Sequence, residues 1–219
     1  MEVSKLIATF KALKEIGFTE LYLPVSQEKQ ENKSLLLKEL YDSLERERRC
    51  VLYESANGYV FGEGDPNSPV VFVGEAPGEE EDKLKRPFVG KAGQYLNKKL
   101  QELGLKRENV YITNVVKSRP PGNRTPTIEE MASCLPYLRK EIEIIKPKVI
   151  VCLGSTAMKG ILGKDYPITK YRGKTFPYPY DPKIKVFLTY HPAYVLRNPS
   201  ADREFTEDLK AVIKLISEA

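Results

Sequence analysis

The segment Val70–Gly90 reads VVFVGEAPGEEEDKLKRPFVG, and its composition changes abruptly after the first four residues. A run of β-branched and aromatic residues stops at Gly74 and gives way to a turn rich in glycine and proline, which is typical of a buried parallel strand that leads into a loop. Loops at strand ends commonly carry active sites. This loop holds five carboxylates within eight positions, followed by the lone apolar Phe88. Carboxylates beside the planar ring of a phenylalanine side chain suggest chemistry on a substrate that itself contains a flat, polar ring.

Strands alternate with helices along most of the chain. Three further apolar runs predict strands at 110–116, 149–153 and 186–190, with helical patterns between them. Four strands with intervening helices predict an α/β fold, a three-layer αβα arrangement around a central four-stranded parallel sheet.

The N-terminal part of the chain has a different pattern. Apolar residues at helical spacing are followed by a polar stretch, which predicts an N-terminal helical extension and linker at 1–33. The α/β domain is then expected at 34–219. Three roles remain open for the extension, namely binding a protein partner, contacting DNA, or packing.

Length and composition restrict the class of protein. The 219 residues, 41% of them hydrophobic, suffice for one substantial core. No apolar run approaches the roughly 20 residues of a membrane span, and no signal-peptide core is visible, so we expect a cytoplasmic protein without membrane contact, and a monomer. The net charge of +5 permits nucleic-acid binding without demonstrating it. A charged fraction of 30%, with one histidine and no tryptophan, is typical of thermophile proteins.

Three of the predicted strands are followed by polar loops, and these loops read GEAPG, NVVKSRPPGNRTP and YHPAYVLRNP. The carboxyl ends of the strands in a parallel sheet share one edge. Loops that are far apart in the sequence should therefore converge on a single crevice.

Two polar residues at these strand ends are candidates for function. His191 is the only histidine of the chain. A lone histidine is more often structural, but its position at a strand end, followed by Pro192, favours a functional role. Asn114 lies in an otherwise apolar strand, where it either caps a turn or reads the edge of a base, since a carboxamide offers a donor and an acceptor side by side. Phe88 taken alone is better explained as ordinary core.

Taken in order, these motifs resemble those of the family 4, thermostable-type uracil-DNA glycosylases. The resemblance covers Gly62 to about Leu215 and rests on GEAPGEEED, RPFVGKAG, YITNVVK, RPPGNRTP, KVIVCLG and YHPAYVLRNP. It implies a DNA repair enzyme that flips uracil out of single- or double-stranded DNA and hydrolyses its N-glycosidic bond, which leaves an abasic site.

The resemblance implies roles for the residues of the crevice. Phe88 would stack on the flipped base, and Asn114 would hydrogen-bond the uracil edge. The backbone at Glu75 and Ala76 would close on the ring. His191 would donate a hydrogen bond to the oxyanion that develops on the leaving uracil.

The attacking water needs a residue that positions or weakly activates it, and Glu75 and Glu81 are the candidates. Ala76 stands where other glycosylase families carry an aspartate base. We therefore do not expect strong general-base catalysis.

Contact with DNA would come from the segments SRPPGNR and LRNPS. Leu196 and Arg197 would form a wedge for the minor groove, as apolar intercalating side chains do. The alternative is that the arginines are solvated surface. The residues suited to phosphate oxygens are Ser118, Arg119, Arg124, Arg197 and Asn198.

Relatives in this family usually carry a 4Fe-4S cluster held by four cysteines, and the chain departs from that pattern. Cys50 and Cys134 occupy two of the ligand positions, whereas Glu47 and Ser118 occupy the other two. Cys152 lies within a strand, where cysteine is usually a small core residue. Because carboxylate and hydroxyl groups are poor ligands for such a cluster, we expect no cofactor and no metal. A disulfide between the two remaining cysteines is a further hypothesis.

Other functions stay open at this point. The chain could be a catalytically weak DNA-binding or damage-sensing relative of the same fold, or a glycosylase for another deaminated base such as hypoxanthine. A nucleotide-binding protein that uses GEAPG as a phosphate loop is disfavoured, because the acidic run repels phosphate and no P-loop lysine follows.

Overall fold

The described part of the chain, residues 32–218 of a computed structural model, contains six strands and eight α-helices. The strands are β1 (Glu63–Gly64), β2 (Val70–Gly74), β3 (Tyr111–Asn114), β4 (Val149–Leu153), β5 (Thr175–Tyr178) and β6 (Asp181–Thr189). The helices are α1 (Lys33–Glu47), α2 (Glu79–Leu84), α3 (Lys91–Glu102), α4 (Ile128–Ile145), α5 (Ser155–Leu162), α6 (Ile168–Tyr171), α7 (Pro192–Arg197) and α8 (Asp202–Glu218).

The six strands form one sheet in the order β1-β3-β2-β4-β6-β5. Its four central strands are parallel, as predicted, and the two edge strands pair antiparallel to their neighbours. The prediction missed these two edge strands. β1 is only two residues long, and β5 contains Pro177, which marks a segment as an edge strand or no strand at all.

Helices cover both faces of the sheet, which confirms the predicted α/β class. Alternate residues along β2 point to opposite sides, so Val71 and Val73 belong to one core and Val70 and Phe72 to the other. The first core includes Leu37 and Leu44 from α1 and Leu138 and Ile142 from α4. The second includes Leu96 and Leu100 from α3 and Phe205, Leu209 and Val212 from α8.

The register of the parallel strands places three loops at one edge. Gly74 at the end of β2 lies opposite Asn114 at the end of β3, and Leu153 of β4 lies opposite Thr189 of β6. The loops that follow these strands therefore start side by side. This arrangement agrees with the predicted convergence.

The predicted extension at 1–33 lies outside the described residues except for its last two positions. The extension, its role and the boundary at residue 34 therefore stay predictions, as does the monomeric state. None of the helices between residues 32 and 218 is long and apolar enough to cross a membrane. The cytoplasmic location is likewise still a prediction.

Candidate active site

A crevice of about 620 Å³ opens at the carboxyl edge of the parallel strands. Residues from all three converging loops line it, so the topology brings together side chains that are more than 100 positions apart in the sequence. Among the lining residues are Glu75, Ala76, Phe88, Asn114, His191 and Arg197. A concave site with a few convergent polar groups is the usual form of a small-ligand pocket.

Asn114 supplies an unpaired acceptor to this crevice. Its side chain is only 2% exposed, yet none of the described residues donates a hydrogen bond to its Oδ1 atom. A buried acceptor without a donor costs about 1–3 kcal/mol, so this atom is poised for a donor that a ligand brings. The neighbouring Gly74 has to be glycine, because a Cβ there would lie 2.4 Å from Oδ1 of Asn114 and 2.5 Å from the Phe88 ring.

A fully buried ion pair lies behind Asn114. Nζ of Lys117 donates to the carbonyl oxygen of Asn114 at 2.9 Å, to Oγ1 of Thr113 at 2.6 Å and to Oε2 of Glu141 at 2.5 Å. Burial lowers the pKa of Lys117, and the Glu141 carboxylate opposes that shift. Sequence reasoning missed this pair, although a lysine directly after an apolar strand in TNVVK was a usable signal.

Phe88 and His191 form the aromatic part of the site. Their ring centroids lie 5.9 Å apart with an interplanar angle of 36°. Phe88 is 5% exposed, and its backbone lies in the left-handed region with φ of 53°. Two rings at this distance provide surfaces on which a planar ligand can stack.

His191 caps the N-terminus of α7 and is held as a neutral imidazole. Its Nδ1 atom accepts a hydrogen bond from the backbone N–H of Ala193 at 3.1 Å, so the ring proton lies on Nε2. Burial and, to a smaller extent, the charge of Arg197 lower the pKa of His191 to about 4, although Glu81 partly opposes the shift. At neutral pH the side chain can therefore donate one hydrogen bond without carrying a charge.

The two candidates for water activation lie in different environments. Oε1 of Glu81 accepts hydrogen bonds from the amides of Val89 at 2.9 Å and Gly90 at 2.7 Å, and its Oε2 accepts from Gly78 at 3.1 Å. Glu81 also lines the crevice, but both of its carboxylate oxygens already accept backbone amides, so its role in water activation stays a prediction. Glu75 lines the crevice and pairs with the hydroxyl of Thr156, so it is the better-placed candidate.

The segment SRPPGNR gives a mixed result for the predicted phosphate contacts. The Ser118 side chain is fully buried and does not face solvent, which disfavours a phosphate contact of its hydroxyl, and this contact stays a prediction. Arg124 forms two hydrogen bonds of 2.7 and 2.6 Å to the carboxylate of Glu130, and Arg119 donates to Oδ1 of Asn123 at 2.7 Å. For these two arginines a phosphate contact stays a prediction. Each arginine already has a side-chain partner within the protein, which it would either keep or exchange when it binds a phosphate.

The segment LRNPS lies beside the crevice. Arg197 lines the crevice directly, and Leu196 is an apolar side chain with 45% exposure. Asn198 donates to the carbonyl oxygen of Tyr194 at 3.0 Å. This placement is compatible with the predicted wedge and phosphate contacts, which it does not test.

The residues at the four cluster-type positions do not fit an iron–sulfur cluster. Cys50 and Cys134 face each other with their Cα atoms 5.2 Å apart, within disulfide range, and they are the only two thiol-bearing residues at these four positions. Glu47 accepts a hydrogen bond from the Tyr137 hydroxyl at 3.0 Å. The Ser118 hydroxyl is buried without a hydrogen-bond partner among the described residues. A carboxylate and a hydroxyl are hard ligands, whereas such clusters require thiolates.

Comparison with known proteins places this site in a family. The model of the uracil DNA glycosylase superfamily matches residues 61–213. The chain is 51% identical over 164 residues to a type-4 uracil-DNA glycosylase of Thermotoga maritima, a match that covers 74% of this chain and 84% of that protein. It is 48% identical over 174 residues to a type-4 uracil-DNA glycosylase of Sulfurisphaera tokodaii, which covers 77% and 79%. A third type-4 uracil-DNA glycosylase, from Archaeoglobus fulgidus, is 44% identical over 173 residues, which covers 77% and 87%. The chain therefore belongs to the uracil DNA glycosylase superfamily, in its type-4 branch.

Proposed function

We propose that the protein removes uracil from DNA by hydrolysing the N-glycosidic bond, which leaves an abasic site. The observation that carries this proposal is the unpaired, buried Oδ1 atom of Asn114 in a crevice bordered by the rings of Phe88 and His191. The type-4 relatives are named for this activity. Because the bond is inaccessible in stacked DNA, the nucleotide has to be flipped into the crevice.

Recognition of the base would depend on Asn114. Its Oδ1 atom would accept from N3–H of uracil, and its amide nitrogen would donate to O4. Cytosine has no hydrogen at N3 and carries an amino group at C4. Its N3 acceptor would therefore face the Oδ1 acceptor of Asn114, and its amino donor would face the amide donor. The Phe88 ring would stack on the base. The pocket thus distinguishes the deaminated base from the normal one.

Catalysis would depend on stabilising the leaving group. As the C1′–N1 bond breaks, its electron pair passes to the base, and negative charge develops on O2 of uracil. The Nε2–H of the neutral His191 would donate to that oxygen, an interaction that strengthens as the charge grows. Water then adds to C1′ and loses a proton, and Glu75 would position this water.

An assay on uracil-containing oligonucleotides tests the proposal. We expect single- and double-stranded substrates to be cut by alkali after incubation with the protein, and thymine-containing strands to remain intact. A hypoxanthine-containing strand measures the substrate range. Strands that bind without ever being cut would favour the alternative of a catalytically weak DNA-binding relative.

The pKa of His191 predicts how stability depends on pH. The folded pKa of about 4 lies below the ordinary histidine pKa of 6.5, so between these two pH values the unfolded chain binds more protons and stability falls as pH falls. For this histidine alone we expect a loss of about 2 kcal/mol between pH 7.5 and pH 5. Urea unfolding at both pH values measures it. The control is His191→Gln, in which this part of the pH dependence should disappear; an equal loss in both proteins contradicts the prediction.

We also propose that the protein carries no cluster and that a disulfide joins Cys50 to Cys134. The chain has three cysteines, of which Cys152 is free and buried. We expect one thiol per denatured chain before reduction and three afterwards. In Cys134→Ser, two thiols should react before reduction. A brown protein, or three thiols in a sample purified under air without reductant, would overturn this proposal.

A further inference from the structure

The turn that carries Phe88 has a backbone that needs outside support. Phe88 adopts φ of 53°, in the left-handed region that side-chain-bearing residues rarely occupy. Such a conformation persists only when the surrounding structure holds it. The residues that hold this turn therefore determine the position of the Phe88 ring in the crevice.

Arg107 contacts the turn on its carbonyl side. This arginine follows α3 and begins a short 3-10 turn, Arg107–Asn109. Its Nη1 atom donates to the Phe88 carbonyl oxygen at 3.0 Å, and its Nη2 atom donates to the Pro87 carbonyl oxygen at 2.5 Å. The planar guanidinium thus holds two successive carbonyl groups in one geometry, which a lysine ammonium cannot reproduce.

Other groups hold the same turn from its amide side and from below. Glu81 accepts the amides of Val89 and Gly90. Gly93 at the start of α3 lies so close that a Cβ on it would come within 2.0 Å of the Phe88 carbonyl group. Of these three residues, Arg107 alone forms a hydrogen bond with Phe88 itself.

We propose that Arg107 is a positioning residue for base excision, which acts by holding the Phe88 ring against the flipped base. The inference rests on the proposed uracil-excising function. Arg107 does not line the crevice, so its influence passes through the turn. Its nearest carboxylate is Glu63, whose Oε1 lies 3.4 Å from Nε of the arginine.

The rival explanation is that Arg107 only stabilises the fold through its ion pair with Glu63. The chain offers a matched control for this case. Arg86 forms two hydrogen bonds of 2.7 Å to the same Glu63 carboxylate, but its side chain is 57% exposed. Arg86→Gln therefore breaks a Glu63 ion pair, while Arg107→Gln breaks a Glu63 ion pair and a hydrogen bond to Asn97 and also releases two carbonyl groups.

Single-turnover excision with saturating enzyme tests the proposal. We expect Arg107→Gln to lower the rate by about 10²-fold, because a misplacement of about 1 Å has effects of that size. The excision rate of Arg107→Lys should fall by nearly as much. The rate of Arg86→Gln should stay within about two-fold of the wild-type rate. In a Phe88→Ala background the added loss from Arg107→Gln should be under about three-fold, because the ring through which it acts is gone.

Hydrogen exchange supplies a readout that does not depend on activity. The amides of Val89 and Gly90 should exchange faster in Arg107→Gln than in the wild type, and should be unchanged in Arg86→Gln. Equal rate losses in the wild-type and Phe88→Ala backgrounds, or unchanged exchange in this turn, would overturn the positioning role. A wild type that excises nothing would instead reject the proposed function, and the exchange measurement would still test the contact. If Arg107→Gln does not fold, Arg107→Lys carries the same comparison.

Discussion

Replacing Asn114 with alanine is expected to lower the rate of uracil excision by about 10³-fold or more. On the proposed role of Asn114, the substitution removes both hydrogen bonds to the base edge and leaves N3–H and O4 of uracil without their partner in the crevice. Sites built to hydrogen-bond a particular group lose far more from an unpaired polar atom than from a lost apolar contact. Alkaline cleavage of a uracil-containing strand, measured in a single turnover, gives the rate.

Stability separates this result from a folding defect. Because the Oδ1 atom of Asn114 has no partner among the described residues, its removal breaks no hydrogen bond made by that atom, and we expect the melting temperature to be kept or raised. Asn67→Ala serves as the control, since this exposed asparagine precedes β2 at the opposite edge of the sheet. An Asn114→Ala protein that keeps more than about a tenth of the wild-type rate would remove the base-reading role.

Replacing Lys117 with methionine is expected to destabilise the protein by about 3–5 kcal/mol. Both side chains of the Lys117–Glu141 pair are fully buried, so the variant leaves a carboxylate without its cation in the core. The remaining donors to Glu141, Tyr41 and Thr113, are neutral and cannot balance its charge. Urea unfolding at neutral pH measures the free-energy change.

Two further variants make this second prediction specific. Lys117→Met combined with Glu141→Met should recover much of the loss, because an apolar pair of similar volume avoids the unpaired charge. Lys140→Met breaks an exposed pair with Glu143 and should cost less than about 1 kcal/mol. A double variant as unstable as Lys117→Met would show that the charge imbalance is not the cause.

The sequence predicted the parts of this site that depend on local pattern and on a topological rule. Asn114 ends an apolar strand and His191 follows one, and parallel strands bring such positions to one edge. Phe88 was found as the lone apolar residue of the segment that returns from the β2 loop. A buried lysine could have been suspected at Lys117 from its place after an apolar strand, but the partners of Arg107 and Lys117 could not be predicted, because tertiary packing sets them. The same limit applies to the surroundings of Glu81 and Ser118. The sequence does not show whether a loop carboxylate or serine faces water or is enclosed by the protein.

The pairing of Gly74 with Asn114 across β2 and β3 makes the position of the proposed base-reading side chain depend on strand register. Successive side chains of a strand point to opposite faces, so a shift of β3 by one residue would put Thr113 or Val115 where the carboxamide now lies. If Asn114 reads the base as proposed, the choice between uracil and cytosine depends on the backbone ladder as well as on one side chain. A single-residue insertion within β3 should erase base discrimination even in a chain that keeps every residue of the crevice.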